Sequence, residues 1–119
     1  MWVKYLQEPK VLQHKIFTKK VLNVVSKIPK GKLMTYLQVA KNAGSPRAYR
    51  AVGTILRTNF RESQKQFPIA EFQPVPCHRV IRSDGKVGEY ALGIKKKEAL
   101  LEQEGHVIDE HKIKLPNYL

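Results

Sequence analysis

The sequence predicts a mainly α-helical fold: a winged helix-turn-helix-like domain of three helices, with a small hairpin or wing and a C-terminal helix. Three observations predict it. The chain has 119 residues, enough for one domain around one hydrophobic core. Apolar residues recur at helical spacing between breaks rich in Gly and Pro. Two of the resulting helices are separated only by the tight turn Ala43-Gly44-Ser45-Pro46, the layout of a helix-turn-helix over about 35–58.

Residues 13–28 place Phe17, Val21, Val24 and Ile28 on one helical stripe, with the lysines mostly on other faces. Pro29-Lys30-Gly31-Lys32 ends that helix. Thr35 is an N-cap for a short second helix over Tyr36 to Asn42. In the turn that follows, Ser45 can cap and Pro46 takes the first position of a third helix, about 46–58. That helix turns Ala48, Ala51, Val52, Ile55 and Leu56 inward, and Arg47, Arg50 and Arg57 outward. Residues 60–76 have no clean period and three prolines, which reads as a loop with room for a short strand. Ser83-Asp84-Gly85-Lys86 is a turn between two short extended pieces, the hairpin or wing. From about Lys95 to Glu104 good helix formers give a last helix, stopped by Gly105.

The charge is unevenly placed. The formal net charge is +12, and from Pro9 to Arg61 there is no Asp or Glu against twelve Lys and Arg. From Glu62 onward nine basic residues offset nine acidic ones. An acid-free basic half repels itself unless it meets a polyanion, and nucleic acid is the usual one. Small side chains at Ala48, Ala51 and Gly53 let a helix backbone approach a groove closely, with Arg47 and Arg50 in reach of phosphates or bases. A plain helix pair with a basic solvated face is the bland alternative. Trp2 and Tyr5 precede the basic stretch, but no long basic amphipathic helix follows, so an anionic membrane is a weaker partner. One cysteine cannot form an internal disulfide and is too few for a Cys-based zinc site. No run is long enough to span a membrane, and the amino terminus lacks the apolar stretch of a signal peptide. These observations argue against the secreted, transmembrane and metal-stapled classes. The expected location is the cytoplasm, or the nucleus in a eukaryote.

Pro76-Cys77-His78-Arg79 puts the only thiol beside an imidazole and a guanidinium. Nearby cations or a base raise the thiolate fraction of a cysteine whose free pKa is near ~8.5. In a regular strand, adjacent side chains would face opposite ways, so cooperation between Cys77 and His78 requires a turn or a helical stretch. Alone, Cys77 reads more readily as a buried structural residue.

Read together, Arg50-Ala51-Val52-Gly53, Pro76-Cys77-His78-Arg79-Val80-Ile81, Gly88-Glu89-Tyr90 and Leu100-Leu101-Glu102-Gln103-Glu104-Gly105 resemble, in order, the catalytic domain of the O6-alkylguanine-DNA alkyltransferases, or methylated-DNA–protein-cysteine methyltransferases. The resemblance runs from about Phe17 to His106, and the motif over 76–81 is highly specific for that family. It implies a monomer that binds duplex DNA containing O6-alkylguanine, flips the base out and moves the alkyl group to a cysteine once, with no metal and no diffusible cofactor.

By position, Cys77 resembles the alkyl acceptor, His78 the histidine that takes the thiol proton through a water, and Glu104 the carboxylate that orients it. Tyr36 matches a tyrosine that donates towards the flipped base, and Val80 and Tyr90 fall on the pocket wall. Arg50 matches the arginine inserted where the base has left. Thr18, Ser45 and Ser83 fall on DNA-backbone contacts, alongside Arg47. The resemblance also implies a recognition helix in the minor groove, where helix-turn-helix proteins more often use the major groove.

The sequence departs from the family in four places. The usual amino-terminal domain is missing, with sixteen residues before Phe17. Asn59 matches an asparagine that buttresses the nucleophile, but Phe60 follows it in place of proline. The stretch from Asn59 to Cys77 is longer than usual. Ala91 replaces a commonly polar residue. The rival within the family is an alkyltransferase-like protein that binds the lesion without alkyl transfer; those proteins typically have tryptophan or alanine where Cys77 stands. Outside it, the alternatives are a helix-turn-helix binder with an inert thiol and a Cys-dependent hydrolase.

Overall fold

The computed structural model describes residues 9–66, 75–90 and 92–119. Trp2, Tyr5, Ala91 and the centre of the long stretch before Cys77 lie outside them. Helix α1 (Pro9–Ser26) begins earlier than the periodicity suggests, because a proline is tolerated in the first helical turn, where its N–H would be unpaired anyway. It ends in tightened bonds, Lys27 N–H to Val24 O (3.2 Å) and Ile28 N–H to Val25 O (3.1 Å), ahead of Pro29. Val21, Val25 and Ile28 are buried, with Phe17 and Val24 packed at the edge of the same cluster.

Strand β1 (Met34–Thr35) leads directly into α2 (Tyr36–Asn42). Thr35 caps α2 as the sequence predicts. Its hydroxyl accepts from Gln38 N–H and its own N–H donates to the Gln38 side-chain carbonyl, both at 3.0 Å, a complete capping box. The helix closes with Ser45 N–H to Ala40 O (2.9 Å) and Gly44 N–H to Lys41 O (3.0 Å). This Schellman closure needs a left-handed residue, and Gly44 supplies it at φ 94°. Pro46–Ala48 forms a 3-10 turn with proline at its start, while the Ser45 side chain makes no capping bond.

Helix α3 (Tyr49–Gln66) runs beyond the expected end near residue 58, so residues 60–66 are helical rather than loop. Arg-Glu-Ser-Gln-Lys-Gln are mostly good helix formers, and propensity continues the helix after the apolar repeat stops. Val52, Ile55 and Leu56 bury its inner face against α1 and α2.

The chain returns through a 3-10 turn at Cys77–Arg79 into β2 (Val80–Ile81), which pairs in parallel with β1, Met34 opposite Val80 and Thr35 opposite Ile81. Successive side chains on a strand face opposite ways. Val80 and Met34 accordingly join the α1–α2–α3 cluster, while Ile81 and Leu33 join a second one with Val87, Leu101 and Ile113. The Ser83–Lys86 turn forms as expected, with Arg82 N–H to Lys86 O at 3.0 Å. Its flanks pair elsewhere, however: β2 with β1, and Lys86 with Lys112.

Helix α4 (Ile94–Gln103) stops before Gly105, as expected. A hairpin that the sequence reading did not contain follows it, β3 (Val107–Asp109) against β4 (Lys112–Lys114). Its two-residue turn holds Glu110 and His111 at φ 50° and 64°. Both are left-handed, as tight hairpin turns demand, without the usual Asn-Gly. The tail folds back on the loop before β1: Leu33 N–H donates to Asn117 O and Leu119 N–H to Leu33 O, each at 2.9 Å. Among the described residues no helix is long and apolar enough to cross a membrane.

Candidate active site

The 3-10 turn brings together what a strand would have kept apart. Its bonds Cys77 N–H to Val75 O (2.8 Å) and Arg79 N–H to Pro76 O (3.0 Å) fold Cys77, His78 and Arg79 tightly against one another. Cys77 is buried, 9% exposed, at the rim of the α1–α2–α3 core and on the wall of a cavity of about 950 Å³.

Behind it, His78 Nε2 and Glu104 Oε2 are 3.0 Å apart. Arg79 holds the same carboxylate through Nε (2.9 Å to Oε1) and through its terminal nitrogen (2.6 Å to Oε2). Its other terminal nitrogen donates to Ile28 O at 2.8 Å, fastening the turn to the end of α1. Burial alone would push the Glu104 carboxyl up, but the bonds from Arg79 and His78 outweigh it and bring it down to about 2. The ionised Glu104 accepts a hydrogen bond from His78 Nε2–H, which leaves Nδ1 as the ring nitrogen with a free lone pair.

Burial pushes the Cys77 thiol up. It is opposed first by the charge of Lys97, then by a hydrogen bond with the Tyr90 hydroxyl and by backbone N–H groups at Cys77 and His78. Lys97 is fully buried. Its ammonium donates to Val80 O at 2.7 Å and lies 3.3 Å from both Glu89 O and the Tyr36 hydroxyl. Burial draws Lys97 down to about 7, with Cys77 pulling the other way. The Tyr36 hydroxyl is pushed up to about 12, by burial first and then by Cys77 and Glu89, so it stays a proton donor. Gly88, at φ 81°, passes so close that an added Cβ would lie 3.5 Å from the Tyr36 ring and 3.3 Å from Arg82.

The cavity collects four of the twelve residues expected from the sequence, and some that were not. Tyr36, Arg50, Cys77 and Tyr90 line it, together with Arg57, Arg82, Lys86 and His111. Tyr90 packs on Phe60, ring centroids 5.8 Å apart. Val80 is wholly buried and contributes its carbonyl to Lys97 rather than a side-chain wall. Arg47, Ser45 and Ser83 are exposed, and the Thr18 hydroxyl donates to His14 O at 2.8 Å within α1. Asn59 lies half-buried on α3, and among the described residues it shares no hydrogen bond with Cys77, His78 or Glu104. Lys97 and Arg79 were missed as functional groups. The signal for Lys97 was present: Ile94, Lys97 and Leu101 fall on one helical stripe, and a lysine there faces inward. No group of His, Cys, Asp and Glu suited to a metal ion occurs among the described residues.

Residues 16–106 match the family model described as 6-O-methylguanine DNA methyltransferase, DNA binding domain. The chain is 47% identical over 90 residues to the methylated-DNA–protein-cysteine methyltransferase of Methanothermobacter thermautotrophicus, covering 75% of this chain and 44% of that protein. It is 43% identical over 97 residues to the human protein of that name, covering 81% and 42%. The chain thus spans less than half the length of these relatives. Among solved structures it resembles Schizosaccharomyces pombe Atl1 in complex with damaged DNA containing O6-carboxymethylguanine, with TM-score 0.63, 30% identity, and coverage of 83% of this chain and 87% of that one. It also resembles Mycobacterium tuberculosis OGT in complex with DNA, with TM-score 0.58, 40% identity, and coverage of 74% and 48%.

Proposed function

Because this chain belongs to the 6-O-methylguanine DNA methyltransferase family, we propose that it repairs DNA by direct reversal, taking the alkyl group of an extruded O6-alkylguanine onto Cys77. One observation carries the reading: the only thiol of the chain sits on the wall of a cavity roomy enough for an extruded base, on the same short turn as a histidine bonded to an ionised carboxylate.

The chemistry follows from the residues present. His78 Nδ1 takes the Cys77 proton through one water, and Glu104 steadies the imidazolium that forms. The thiolate attacks the O6-bound carbon in line, so an S–C bond forms as the C–O bond breaks. The electron pair leaves on guanine, which needs a proton to become the ordinary base, and Tyr36 is a donor within the cavity. Lys97 beside the thiol favours the anion in surroundings that otherwise disfavour it. The net change is one alkyl group from oxygen to sulfur and one proton from thiol to base. No step returns the thiol, so each chain acts once. The acid-free stretch from Pro9 to Arg61, which spans α1, α2 and most of α3, supplies the phosphate contacts, Arg47 and Arg50 foremost, and Arg50 fills the gap that the base leaves.

The second reading is lesion binding without transfer, favoured by the match to Atl1 over nearly the whole length of that chain. The raised thiol fits it as well. One experiment separates the two: intact-protein mass after mixing with duplex carrying a single O6-methylguanine, with Cys77→Ala alongside. A stoichiometric gain of one methylene unit on Cys77, absent in the variant, is the expected result. Tight lesion binding without any gain would overturn alkyl transfer in favour of sensing.

A further inference from the structure

Tyr49 has no part in the chemistry above, yet its position calls for an explanation. It opens α3, directly after the 3-10 turn that carries Arg47. Its neighbours on that approach, Ala48, Ala51 and Gly53, are small, and Tyr49 is the bulky exception, 43% exposed. Nearly half of this large residue's surface faces water rather than the core. It does not stand apart from the site either. Tyr49 lines the cavity that holds Cys77, next to Arg50 and Gly53, and the Arg50 guanidinium carbon lies 6.0 Å from its ring centroid. The helix end that carries them has no acidic residue to repel a phosphate backbone.

A base can reach that cavity only if it is taken out of its stack, at a cost of a few kcal/mol that something must offset. Aromatic faces recover part of such a cost by stacking on bases without regard to sequence. Minor-groove proteins insert side chains between base steps for the same purpose. We infer that Tyr49 is a stacking wedge: its ring packs on the base pair flanking the extruded guanine and holds the Arg50 guanidinium over the gap. The ring thus does two things at one place, stacking on DNA with one face and presenting a cation on the other. This inference rests on the base-extrusion reading, and it names a residue that controls the extrusion step rather than the transfer.

The test compares the wild type with Tyr49→Ala, Tyr49→Leu and Tyr49→Phe. Extrusion is read from the fluorescence of 2-aminopurine substituted for the target base in duplex, which rises when that base leaves the stack. Transfer is read as the ratio of single-turnover rate on duplex O6-methylguanine to the rate on free O6-benzylguanine. The wedge predicts that Tyr49→Ala and Tyr49→Leu lower the duplex-to-free-base ratio roughly tenfold, the worth of one stacked aromatic, and cut the fluorescence rise in parallel. Tyr49→Phe keeps both near the wild type, because the hydroxyl is not needed. An abasic site opposite the lesion, which makes extrusion easier, restores most of the Tyr49→Ala loss. An unchanged ratio in Tyr49→Ala overturns the wedge, and so does equal loss on both substrates. If the wild type transfers no alkyl group but the fluorescence still depends on Tyr49, the wedge stands and the transfer reading fails. If the wild type neither transfers nor extrudes, both fail.

Discussion

Lys97 and Cys77 are both buried, and each favours the charged form of the other. An isolated ammonium there is costly, which is why burial draws Lys97 down to about 7. A thiolate alone there is costly for the same reason. Each charge lowers the cost of the other, while burial still leaves the thiol raised and the ammonium lowered. Lys97→Met, which keeps the length and removes the charge, is expected to move the pH profile of Cys77 alkylation by iodoacetamide to higher pH. The rate at neutral pH then falls roughly tenfold for each unit of that move. An unchanged profile would leave Lys97 only the role of bonding Val80 O and Glu89 O. Glu104 behaves differently. Its carboxyl is held at about 2 against an ordinary 4.5. Its contribution to stability is therefore complete above about 4.5 and is lost as pH falls towards 2. Acid in that window releases the carboxylate that His78 and Arg79 share.

Among the elements, α2 is the one most dependent on its cap. Seven residues are too few to be stable alone, and the Thr35–Gln38 box satisfies end groups that would otherwise be stranded in a buried strand-to-helix joint. Thr35→Ala is expected to cost about 1 kcal/mol in urea unfolding; a change within error would mean that β1 pairing alone holds the joint. That cap was legible because it depends on residue type at a fixed offset. The core stripes of α1 and α3 were legible because burial imposes a period. What escaped had neither signal. The second half of α3 carries Arg-Glu-Ser-Gln-Lys-Gln, helix formers without an apolar repeat. The β3–β4 turn uses Glu110-His111 where Asn-Gly would have announced a hairpin, and β1 and β2 are too short to show alternation. In the site, Cys77 and His78 are adjacent and therefore visible. Glu104 is distant and entered only through the family resemblance. Lys97 was hidden because a lysine in a helix is ordinarily counted as surface.

At the scale of the molecule, the charge asymmetry of the sequence becomes a two-sided arrangement. Arg50 and Arg57 come from the acid-free half, while Arg82, Lys86 and His111 come from the half whose charges balance. The fold therefore brings Arg82 and Lys86 to the same cavity as Arg50 and Arg57, which the linear distribution alone does not reveal. The tail is equally invisible in the sequence. Lys32 and Asn117 meet side chain to side chain at 3.1 Å across 85 positions, and the backbone bonds between Leu33 and residues 117 and 119 close the same circuit. A contact of that span cannot form cheaply while the rest of the chain is loose, whereas α2 and α3 are neighbours and dock with little loop to close. The expected order of assembly is that the helical half condenses first and the tail shuts late, after the rate-limiting barrier. Deleting residues 116–119 should accordingly speed unfolding several-fold in stopped-flow measurements while leaving the refolding rate nearly unchanged. A matching fall in the refolding rate would place the tail in the folding nucleus instead. A contact made after the barrier acts as a brake on opening, so the tail's share of stability is felt chiefly as the lifetime of the folded molecule.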